Sequence, residues 1–557
     1  MAAVAVGAWL LLSVLVLAAW PRLNRQRAWR VAALLLTLAF SVAHQLVFRG
    51  LSGEAQIAFR YAENLAQGNG PVFNAGERVE GYTNFAWVVL LAWPRTLLGA
   101  DVADTAVALG MLATCGSVLL AYFLVNSIVR LAAPDPADAL PALGVAGAML
   151  TAAASGLAAY GASGSETPLF LLLTLGVCTA LVRRRPLVAG VLIAAAIMTR
   201  PDGMLVGIVA VIWLLFAAGR GRLTWWAPAG CGLGALVLLV PWVGWRVTYY
   251  GWFVPNVRAV RAPAAPADQL SDGWQYLTGF VVSHQAFLLL GVAAIAAIVH
   301  RRKDGEAADG EARAALWLLF TVAVVYLVAV TLRGGDAQPA WRLLAGVPVL
   351  FSIGAVAAYG ARLLSQGIPS PRPRSRVRVV ASVTVVVSGL SLLVSTTQES
   401  MLPAVRDWSA RTAELAEMGS WLGERLPAGS VVSTYVNGAL AYHAGIRIAV
   451  VDVRGRTDEH IARDGERAER SPDRLVASDY DYVVNVRRPA VAVAAEGYVD
   501  RQHCAADPAY AGRYNVATFQ REGTARWATV YLRREQVGGL VAALDADPRF
   551  TYVPCPL

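Results

Sequence analysis

The stretch LSGEAQIAFRYAENLAQGNGPVFNAGERVEGYTNF, residues 51–85, decides how the chain is interpreted. It lies between long apolar segments, yet it is rich in charged side chains, glycine, asparagine and tyrosine. A short turn would join two membrane spans at a lower entropic cost than a loop of this length. We therefore interpret residues 51–85 as a structured extracytoplasmic loop whose side chains face a ligand or a reaction site.

The composition around this loop is that of a polytopic membrane protein, because 57% of the 557 residues are hydrophobic and 15% are charged. A net charge of +10 would suggest nucleic-acid binding in a soluble protein. Here the arginines cluster in short loops between apolar runs, as cytoplasmic loop charges do. We therefore predict contact with membrane lipid and no nucleic-acid partner. The sequence shows no metal-ligand spacing, so no metal site is predicted from it.

Charge parity predicts a multi-pass cell-membrane protein whose basic loops lie inside and whose loop 51–85 lies outside. About twelve crossings satisfy this rule. They fall near residues 3–20, 31–48, 102–130, 141–160, 167–182, 187–199, 203–219, 224–245, 284–299, 314–332, 341–362 and 379–396. Residues 83–99 are apolar but interrupted by Pro94 and Arg95. We predict a re-entrant or in-plane segment there, because a full crossing would place the next basic loops outside.

The composition changes near residue 397, and we predict a transmembrane domain over 1–396 followed by a smaller domain over 397–557. Short β-branched runs predict strands at VVSTYV (431–436), IAVVDV (448–453) and YDYVVNV (480–486). A helical pattern covers RTAELAEMGSWLGERL (411–426). These elements are typical of an α/β domain, and charge parity places it outside the membrane.

Several polar motifs share the outer side in this topology, which suits a phosphate-bearing ligand with a lipid tail. Arginine would hold the phosphate through charge-assisted hydrogen bonds, and a carboxylate would act as base on an incoming hydroxyl. Structural alternatives stay open. Glu166 is equally suited to cap the helix that starts near Thr167. Arg200 and Asp202 are equally suited to a local ion pair. Tyr249 and Tyr250 fit an interfacial aromatic belt better than a sugar platform.

Six of these motifs occur in an order that closely resembles a group of actinobacterial GT-C glycosyltransferases of the terminal arabinofuranosyltransferase kind. They are IAFRYAENLAQGNGPVFNAGERVEGYTNFAW (57–87), SGSETPLF (163–170), MTRPDG (198–203), YYGWFVPN (249–256), GGDAQPAWRLL (334–344) and VVDVRGRTDEHIAR (450–463). The resemblance covers roughly residues 30–557. The ordered set is more specific than any single motif.

The resemblance implies a polyprenyl-phosphate-linked sugar donor, with arabinofuranose as the expected sugar, and a cell-wall glycan or lipoglycan acceptor at the outer face. Enzymes of this group invert the anomeric carbon, with a loop carboxylate as base. Adjacent aspartates precede their counterpart of IAFRYA, where this chain has Gly53 and Glu54. Glu54 is therefore the candidate catalytic base, and Glu77 and Glu80 are alternatives.

The remaining polar residues of the motifs are candidates for binding the donor or the acceptor. They are Arg60, Asn74, Glu77, Glu80, Tyr82, Asn84, Glu166, Arg200, Asp202, Asn256, Asp336, Arg342, Asp458 and His460. Cys504 and Cys555 match a cysteine pair of the group's outer domain and are a disulfide candidate. A divalent cation is possible, and it would bind more weakly here because one carboxylate is absent.

Two other functions compete with a glycosyltransferase. A catalytically impaired homologue would keep the lipid and glycan grooves and act in binding or assembly, and Gly53 is the main support for that hypothesis. A transporter or flippase of lipid-linked sugars is less well supported, because the spans show no repeat symmetry.

Overall fold

The computed structural model describes residues 2–132, 140–260, 265–300, 307–365, 373–435, 437–467, 477–493, 510, 512–521 and 527–553. The predicted disulfide pair, Cys504 and Cys555, lies outside these ranges, so that pairing stays a prediction.

The described residues are mainly helical. The first eleven helices are α1 (Ala2–Ala18), α2 (Trp20–Arg25), α3 (Arg27–Val47), α4 (Ala55–Ala66), α5 (Phe85–Leu98), α6 (Val102–Leu131), α7 (Ala142–Ala152), α8 (Ser155–Gly161), α9 (Thr167–Val182), α10 (Pro186–Thr199) and α11 (Gly203–Gly219). The next ten are α12 (Trp226–Tyr250), α13 (Asn256–Ala259), α14 (Pro266–His300), α15 (Ala307–Arg333), α16 (Val347–Ser365), α17 (Pro373–Thr397), α18 (Leu402–Arg425), α19 (Ala439–His443), α20 (Glu459–Asp464) and α21 (Val537–Asp545).

Within the described ranges, seven helical segments are long and apolar enough to cross a membrane. They are Arg27–Val47, Val102–Leu131, Trp226–Tyr250, Pro266–Ala296, Gly310–Arg333, Pro339–Leu364 and Thr384–Arg425. Helices α7 and α8 form a further candidate span as a pair bent by 65°. The other predicted crossings coincide with shorter apolar helices at Val4–Ala18, Thr167–Val182, Pro186–Thr199 and Gly203–Gly219. The predicted multi-pass helical architecture is confirmed, while the in-plane orientation of α5 stays a prediction.

The C-terminal region carries the predicted α/β domain. Its strands are β1 (Val431–Thr434), β2 (Ala449–Asp452), β3 (Glu466–Arg467), β4 (Ala477–Ser478), β5 (Val491–Val493), β6 (Tyr514–Arg521), β7 (Trp527–Arg533) and β8 (Phe550–Val553). Six of them form one sheet in the order β2-β1-β5-β7-β6-β8, and β3 pairs with β4. Strand β1 runs parallel to β2 and β5, while the other neighbours are antiparallel. The parallel pair β1–β2 is joined through α19, as a parallel connection requires a crossover.

One predicted strand is wrong. Residues Tyr482–Arg487, which include most of the segment YDYVVNV (480–486), form a π-helical turn. The Asp479 carboxylate accepts a hydrogen bond from the Tyr482 amide at 2.8 Å and so holds the start of this turn. Val483 and Val484 are buried in it. A short apolar run does not by itself distinguish a strand from a buried turn. The sheet position beside β1 is taken by β5.

The chain groups into two compact units that differ from a single cut after residue 396. The helical unit comprises Met1–Gly50, Ala106–Val243 and Ala265–Asp407. The sheet unit comprises Leu51–Thr105, Gly244–Ala264 and Trp408–Leu557, so the polar loop belongs to the same unit as the β-sheet.

The helical unit has a core of tightly packed apolar side chains between α15 and α16. Leu319, Phe320 and Ile353 are fully buried there. A side chain at Gly354 would place its Cβ 2.5 Å from the Phe320 ring. Close approach of the two helices therefore depends on a small residue, as is common between membrane helices.

The sheet unit has its own aromatic core between α18 and the sheet. The Trp421 ring stacks on Phe550 at 4.7 Å between centroids and meets Phe519 edge-on at 4.9 Å. The indole N–H of Trp421 donates to the Leu544 carbonyl at 3.1 Å. The buried indole is thus satisfied while its ring packs, so α18 is fixed against the strands.

Candidate functional site

The MTRPDG motif forms a buried ion pair in the helical unit, at the break between α10 and α11. The Arg200 guanidinium donates from Nε at 3.0 Å and from Nη2 at 2.6 Å to the two carboxylate oxygens of Asp202. Tyr326 donates to the Asp202 carbonyl at 2.7 Å, and the Phe170 ring lies 4.7 Å from the guanidinium. The local ion pair considered from the sequence is therefore present. Nη1 of Arg200 makes no hydrogen bond to a described residue.

The GGDAQPAWRLL motif forms a second ion pair in the same unit. Nε of Arg342 donates to the Asp336 carboxylate at 2.8 Å. The backbone around it is unusual, since Ala340 and Trp341 both adopt a left-handed conformation, with φ of 55° and 57°. The Trp341 indole donates to Ser283 at 2.9 Å and so helps to hold that conformation. Non-glycine residues in this region are strained, and such strain concentrates at functional sites.

These two ion pairs belong to one electrostatic cluster, because the charges of Arg342 and Glu166 both influence the pKa of Arg200. The Asp202 charge raises the pKa of Arg200 although burial opposes it, and Glu166 raises it further. The sequence reasoning missed Arg333. This guanidinium interacts electrostatically with the charges of Asp336, Asp202, Arg342 and Arg200. We call the six residues the arginine cluster: Glu166, Arg200, Asp202, Arg333, Asp336 and Arg342. Three guanidinium groups beside three carboxylates suit an anionic ligand that replaces a carboxylate partner.

Glu166 is buried and lies at the N-cap position of α9, but its side chain makes no capping hydrogen bond. The Glu166 side chain therefore does not form the capping hydrogen bond considered from the sequence. Its negative charge at this helix start is still favourable.

Glu54 lies in the sheet unit, at the start of α4, and its side chain is 36% exposed. Its carboxylate oxygen Oε2 is 3.7 Å from Nη1 of Arg456. At the neighbouring position, a Cβ on Gly53 would lie 3.3 Å from the Thr412 hydroxyl. Helix α18 thus restricts the space that a first acid would occupy. An exposed carboxylate next to an arginine remains able to accept a proton from a hydroxyl group.

Arg60 and Asn74 have packing roles in the sheet unit. Arg60 is 1% exposed, and its guanidinium donates to the carbonyls of Phe73, Ala441, Gly445 and Ile448 and to the amide oxygen of Asn74. The Asn74 amide in turn bonds both backbone groups of Val450 and the Glu77 carboxylate. All their polar atoms are occupied by protein, so the ligand-binding role predicted for these two residues is corrected to a structural one.

Glu77, Asp458 and Asn256 converge around the loop that follows β2. Arg487 donates to Glu77 at 2.7 Å and lies 3.9 Å from Asp458. The Asp458 carboxylate caps α20 by accepting from the Ile461 amide at 3.1 Å. The Asn256 amide donates to the carbonyls of Gly455, Arg456 and Asp458 at 2.8 to 3.1 Å. The YYGWFVPN motif therefore holds the backbone of the loop whose Arg456 faces Glu54.

His460 lies on α20, directly after this loop, and contacts the segment at the start of the π-helical turn. Its ring bonds the Asp479 carboxylate at 3.0 Å and stacks on Tyr482 with ring centroids 4.1 Å apart. The side chain is 39% exposed, so it is within reach of solvent.

Glu80 and Tyr82 form a buried polar network with the end of α12. Nε of Arg246 donates to Oε1 of Glu80 at 2.7 Å, while Oε2 of Glu80 is buried and has no hydrogen-bond partner among the described residues. Burial raises the pKa of Glu80 above its usual value, against the effect of Arg246. Tyr250 donates to the Pro71 carbonyl at 2.7 Å and shares a 3.0 Å hydrogen bond with Tyr82. Because Tyr250 is buried, the interfacial aromatic belt preferred from the sequence is wrong for this tyrosine.

Asn84 occupies the N-cap position of α5 without a side-chain capping bond.

The sequence reasoning also missed Asp452, a fully buried carboxylate at the end of β2. It accepts hydrogen bonds from the Arg454 amide, the Thr457 amide and the Asn437 side chain, each at 3.0 Å. Burial raises its pKa from 3.8 to about 6. Its place at the carboxyl end of a parallel strand was the signal that could have found it.

The described residues contain no group of three or more His, Cys, Asp or Glu side chains that could hold a metal ion. The residues present therefore do not form a protein-only metal site, and the possible divalent cation stays a prediction.

Sequence comparison connects the chain to enzymes that transfer arabinofuranose. It is 32% identical over 247 residues to a terminal β-(1→2)-arabinofuranosyltransferase of Mycobacterium tuberculosis, covering 42% of this chain and 38% of that protein. It is 28% identical over 324 residues to the protein of the same name from Corynebacterium glutamicum, covering 53% of this chain and 46% of that protein. The chain thus spans less than half the length of these curated relatives. The predicted resemblance is confirmed.

Residues 404–534 match a family model described as a domain of unknown function (DUF8728). The fold itself is similar to that of ArnT from Cupriavidus metallidurans, crystallised with undecaprenyl phosphate, with a TM-score of 0.55 and 14% sequence identity. The match covers 91% of this chain and 98% of ArnT. The GT-C-like membrane fold predicted from the motifs is therefore confirmed.

Proposed function

We propose that this protein is an inverting GT-C glycosyltransferase. It would transfer arabinofuranose from a polyprenyl-phosphate donor to a cell-wall glycan or lipoglycan outside the membrane. The arginine cluster carries the proposal. It gathers Arg200, Arg333 and Arg342 in a helical unit of GT-C-like fold, and a phosphate group has the charge and the acceptor oxygens that these side chains can bind.

In the proposed reaction, a hydroxyl oxygen of the acceptor attacks the anomeric carbon of the donor sugar. The bond between that carbon and the phosphate oxygen breaks, and the polyprenyl phosphate leaves with the electron pair. Glu54 takes the proton of the attacking hydroxyl, and attack opposite the leaving group inverts the anomeric carbon.

Arg456 would orient the base in this mechanism. At 3.7 Å from Glu54, its guanidinium is close enough to hold the carboxylate in position. Its own backbone is held by Asn256 and by the Asp452–Thr457 hydrogen bond. No step of the proposed reaction uses a metal ion.

The test is transfer from polyprenyl-phosphoryl arabinofuranose by the purified protein and its Glu54→Gln variant. The amide has the same shape but cannot take the proton, so we expect transfer to fall by about 10²–10⁴-fold. Glu63→Gln is the matched control. Glu63 lies on the same helix α4 and pairs with Arg95 at 2.9 Å, outside the proposed chemistry. Equal activity of the Glu54 variant and the wild type would remove Glu54 from the mechanism.

A binding or assembly protein is the second candidate, and Gly53 favours it because the family's first acid is absent. Donor binding can be measured separately by the thermal shift that polyprenyl phosphate produces. Retained binding with no detectable transfer by the wild type would support this second function against the first.

A further inference from the structure

A cavity of about 310 Å³ lies in the helical unit, where α9 and α11 end and α10 and α12 begin. Its walls combine apolar side chains with two arginines. They include Leu181, Arg184, Pro186, Leu214, Arg222 and Trp226. The volume lies in the range of small-ligand sites. None of these residues belongs to the arginine cluster or to the surroundings of Glu54.

Both arginines are positioned by the start of α15. Arg222 donates from Nη1 to the Gly310 carbonyl at 3.0 Å. Arg184 pairs with the Glu311 carboxylate. Nε and Nη2 of Arg222 make no hydrogen bond to a described residue. With respect to the residues that the structure describes, one guanidinium edge at the cavity therefore keeps donors for a ligand.

Arg184 is held in an unusual backbone conformation. Its φ is 56°, a left-handed value that favours glycine at the end of a helix. The amides of Arg184 and Arg185 bond the carbonyls of Leu181 and Ala180 at 2.9 and 2.8 Å, which closes the end of α9. A glycine would close this turn without strain. The arginine instead brings a charged side chain to the cavity.

The surroundings of the cavity are those of a membrane boundary. Trp225 and Trp226 are 65% and 83% exposed at the start of α12, and tryptophan is enriched at membrane–water interfaces. The loops that carry Arg184 and Arg222 also carry Arg183, Arg185 and Arg220, and charge parity assigns them to the cytoplasmic side. The cytoplasmic leaflet is rich in anionic lipids, and basic pockets between helices on that side bind their headgroups.

We propose that this cavity binds the phosphate headgroup of an anionic glycerophospholipid, with Arg184 and Arg222 on the phosphate and the acyl chains along the apolar walls. The site is independent of the proposed transferase activity. It would couple the ends of four helices through one lipid.

The test uses the full-length protein, purified in detergent and stripped of lipid. Phosphatidylglycerol, phosphatidylcholine with the same acyl chains, and inorganic phosphate are added in separate melting experiments. A ligand that binds only the folded protein raises the melting temperature. We expect phosphatidylglycerol alone to do so. A shift with inorganic phosphate alone would identify a free-anion site, and equal shifts with the two lipids would indicate non-specific annular lipid; either result overturns the proposal.

Variants Arg222→Gln and Arg184→Gln should each weaken phosphatidylglycerol binding by about fivefold. Arg220→Gln is the matched control, because Arg220 carries the same charge on the same loop but lies over the Phe216 ring at 3.9 Å and does not line the cavity. Equal losses in all three variants would mean that general surface charge attracts the lipid, which contradicts the proposal. Native mass spectrometry of lipid retained by the wild type keeps the test decisive if a variant fails to fold: no preference for phosphatidylglycerol would reject the site.

Discussion

Arg60 and Asp452 of the sheet unit are held by a different kind of partner from Arg200 of the helical unit. In the sheet unit, Arg60 bonds four carbonyls and one amide oxygen, and Asp452 accepts from two backbone amides and one side-chain amide. Each of these charges is surrounded by neutral partners. In the helical unit, Arg200 and Asp202 are paired with each other through two hydrogen bonds.

This difference distinguishes charges that hold the fold from charges that we propose bind the donor phosphate. A guanidinium held by several backbone carbonyls from distant parts of the chain fixes those parts in place, and no ligand can take their place without unfolding. A guanidinium held by one neighbouring carboxylate can exchange that partner for a phosphate at little structural cost. Arg60 and Arg200 both lie in motifs that resemble the same enzyme group, so sequence alone ranks them equally.

The largest effect should come from removing the Arg60 guanidinium, whose hydrogen-bond partners are all neutral. In an Arg60→Met variant, the carbonyls of Ala441 and Ile448 lose the guanidinium donor. The Phe73 carbonyl keeps its bond from Asn64, and the Gly445 carbonyl keeps its bond from the Ile448 amide. Unsatisfied buried acceptors of this kind should lower the free energy of unfolding by about 3–5 kcal/mol. Thermal or denaturant unfolding of the purified protein measures the change.

Arg78→Met is the matched control for Arg60. Arg78 is exposed and its guanidinium lies 4.8 Å from the Tyr249 ring centroid, a contact worth about 1 kcal/mol or less. If the two variants lost comparable free energy of unfolding, the buried hydrogen bonds of Arg60 would have no special structural role. The comparison between the units would then fail.

The sequence predicted the apolar segments well because membrane spans depend on composition averaged over many residues. It predicted β1, β2 and α18 for a similar reason, since their periodic patterns are long or bounded by turns. It failed at YDYVVNV, which forms a π-helical turn whose first amide, that of Tyr482, donates to the Asp479 carboxylate. It also assigned Arg60 and Asn74 to a ligand, because a motif does not reveal whether the acceptors of a guanidinium are carbonyls brought from some 380 positions away in the chain.

The arginine cluster was predicted in part. Five of the six were already candidates, because charges beside membrane helices are costly and therefore conspicuous. They are Glu166, Arg200, Asp202, Asp336 and Arg342. Arg333 was missed because it ends a long apolar helix, a place where basic residues commonly lie. Only the packing of α15 beside the break between α10 and α11 brings it to the other charges.

The second effect concerns Asp452 and appears as a pH dependence. Its pKa is raised by burial from 3.8 to about 6, so the folded protein binds this proton more tightly than the unfolded chain does. The stabilisation is therefore complete below about pH 4 and is lost as the pH rises to about 6, by at most about 1.4 kcal/mol per pH unit. Unfolding measured between pH 4 and 6 should show this slope, and Asp452→Asn should flatten it.

Asp547→Asn gives a control of opposite sign. Hydrogen bonds and charge from Arg549 lower the pKa of Asp547, so its stabilisation is lost as the pH falls through the acidic range. Its removal should leave the slope above pH 4 unchanged. If the unfolding free energy of Asp452→Asn had the same pH slope as that of the wild type, the neutral amide donors would be enough to keep the Asp452 carboxylate ionised. That result would contradict the distinction between Asp452, with its neutral partners, and Asp202, with its arginine partner.

The smallest effect should come from Arg200→Lys, which keeps the charge and removes the planar fork. Lysine can still neutralise Asp202 but cannot bond a carboxylate or a phosphate through two parallel N–H groups. We expect stability within about 1 kcal/mol of the wild type and polyprenyl-phosphate binding weakened by about tenfold. Arg130→Lys, on an exposed last turn of α6, is the control and should change neither quantity. A large loss of stability with unchanged phosphate binding would give Arg200 the same structural role as Arg60. Its pairing with Asp202 would then stabilise the fold, and phosphate would not replace that carboxylate.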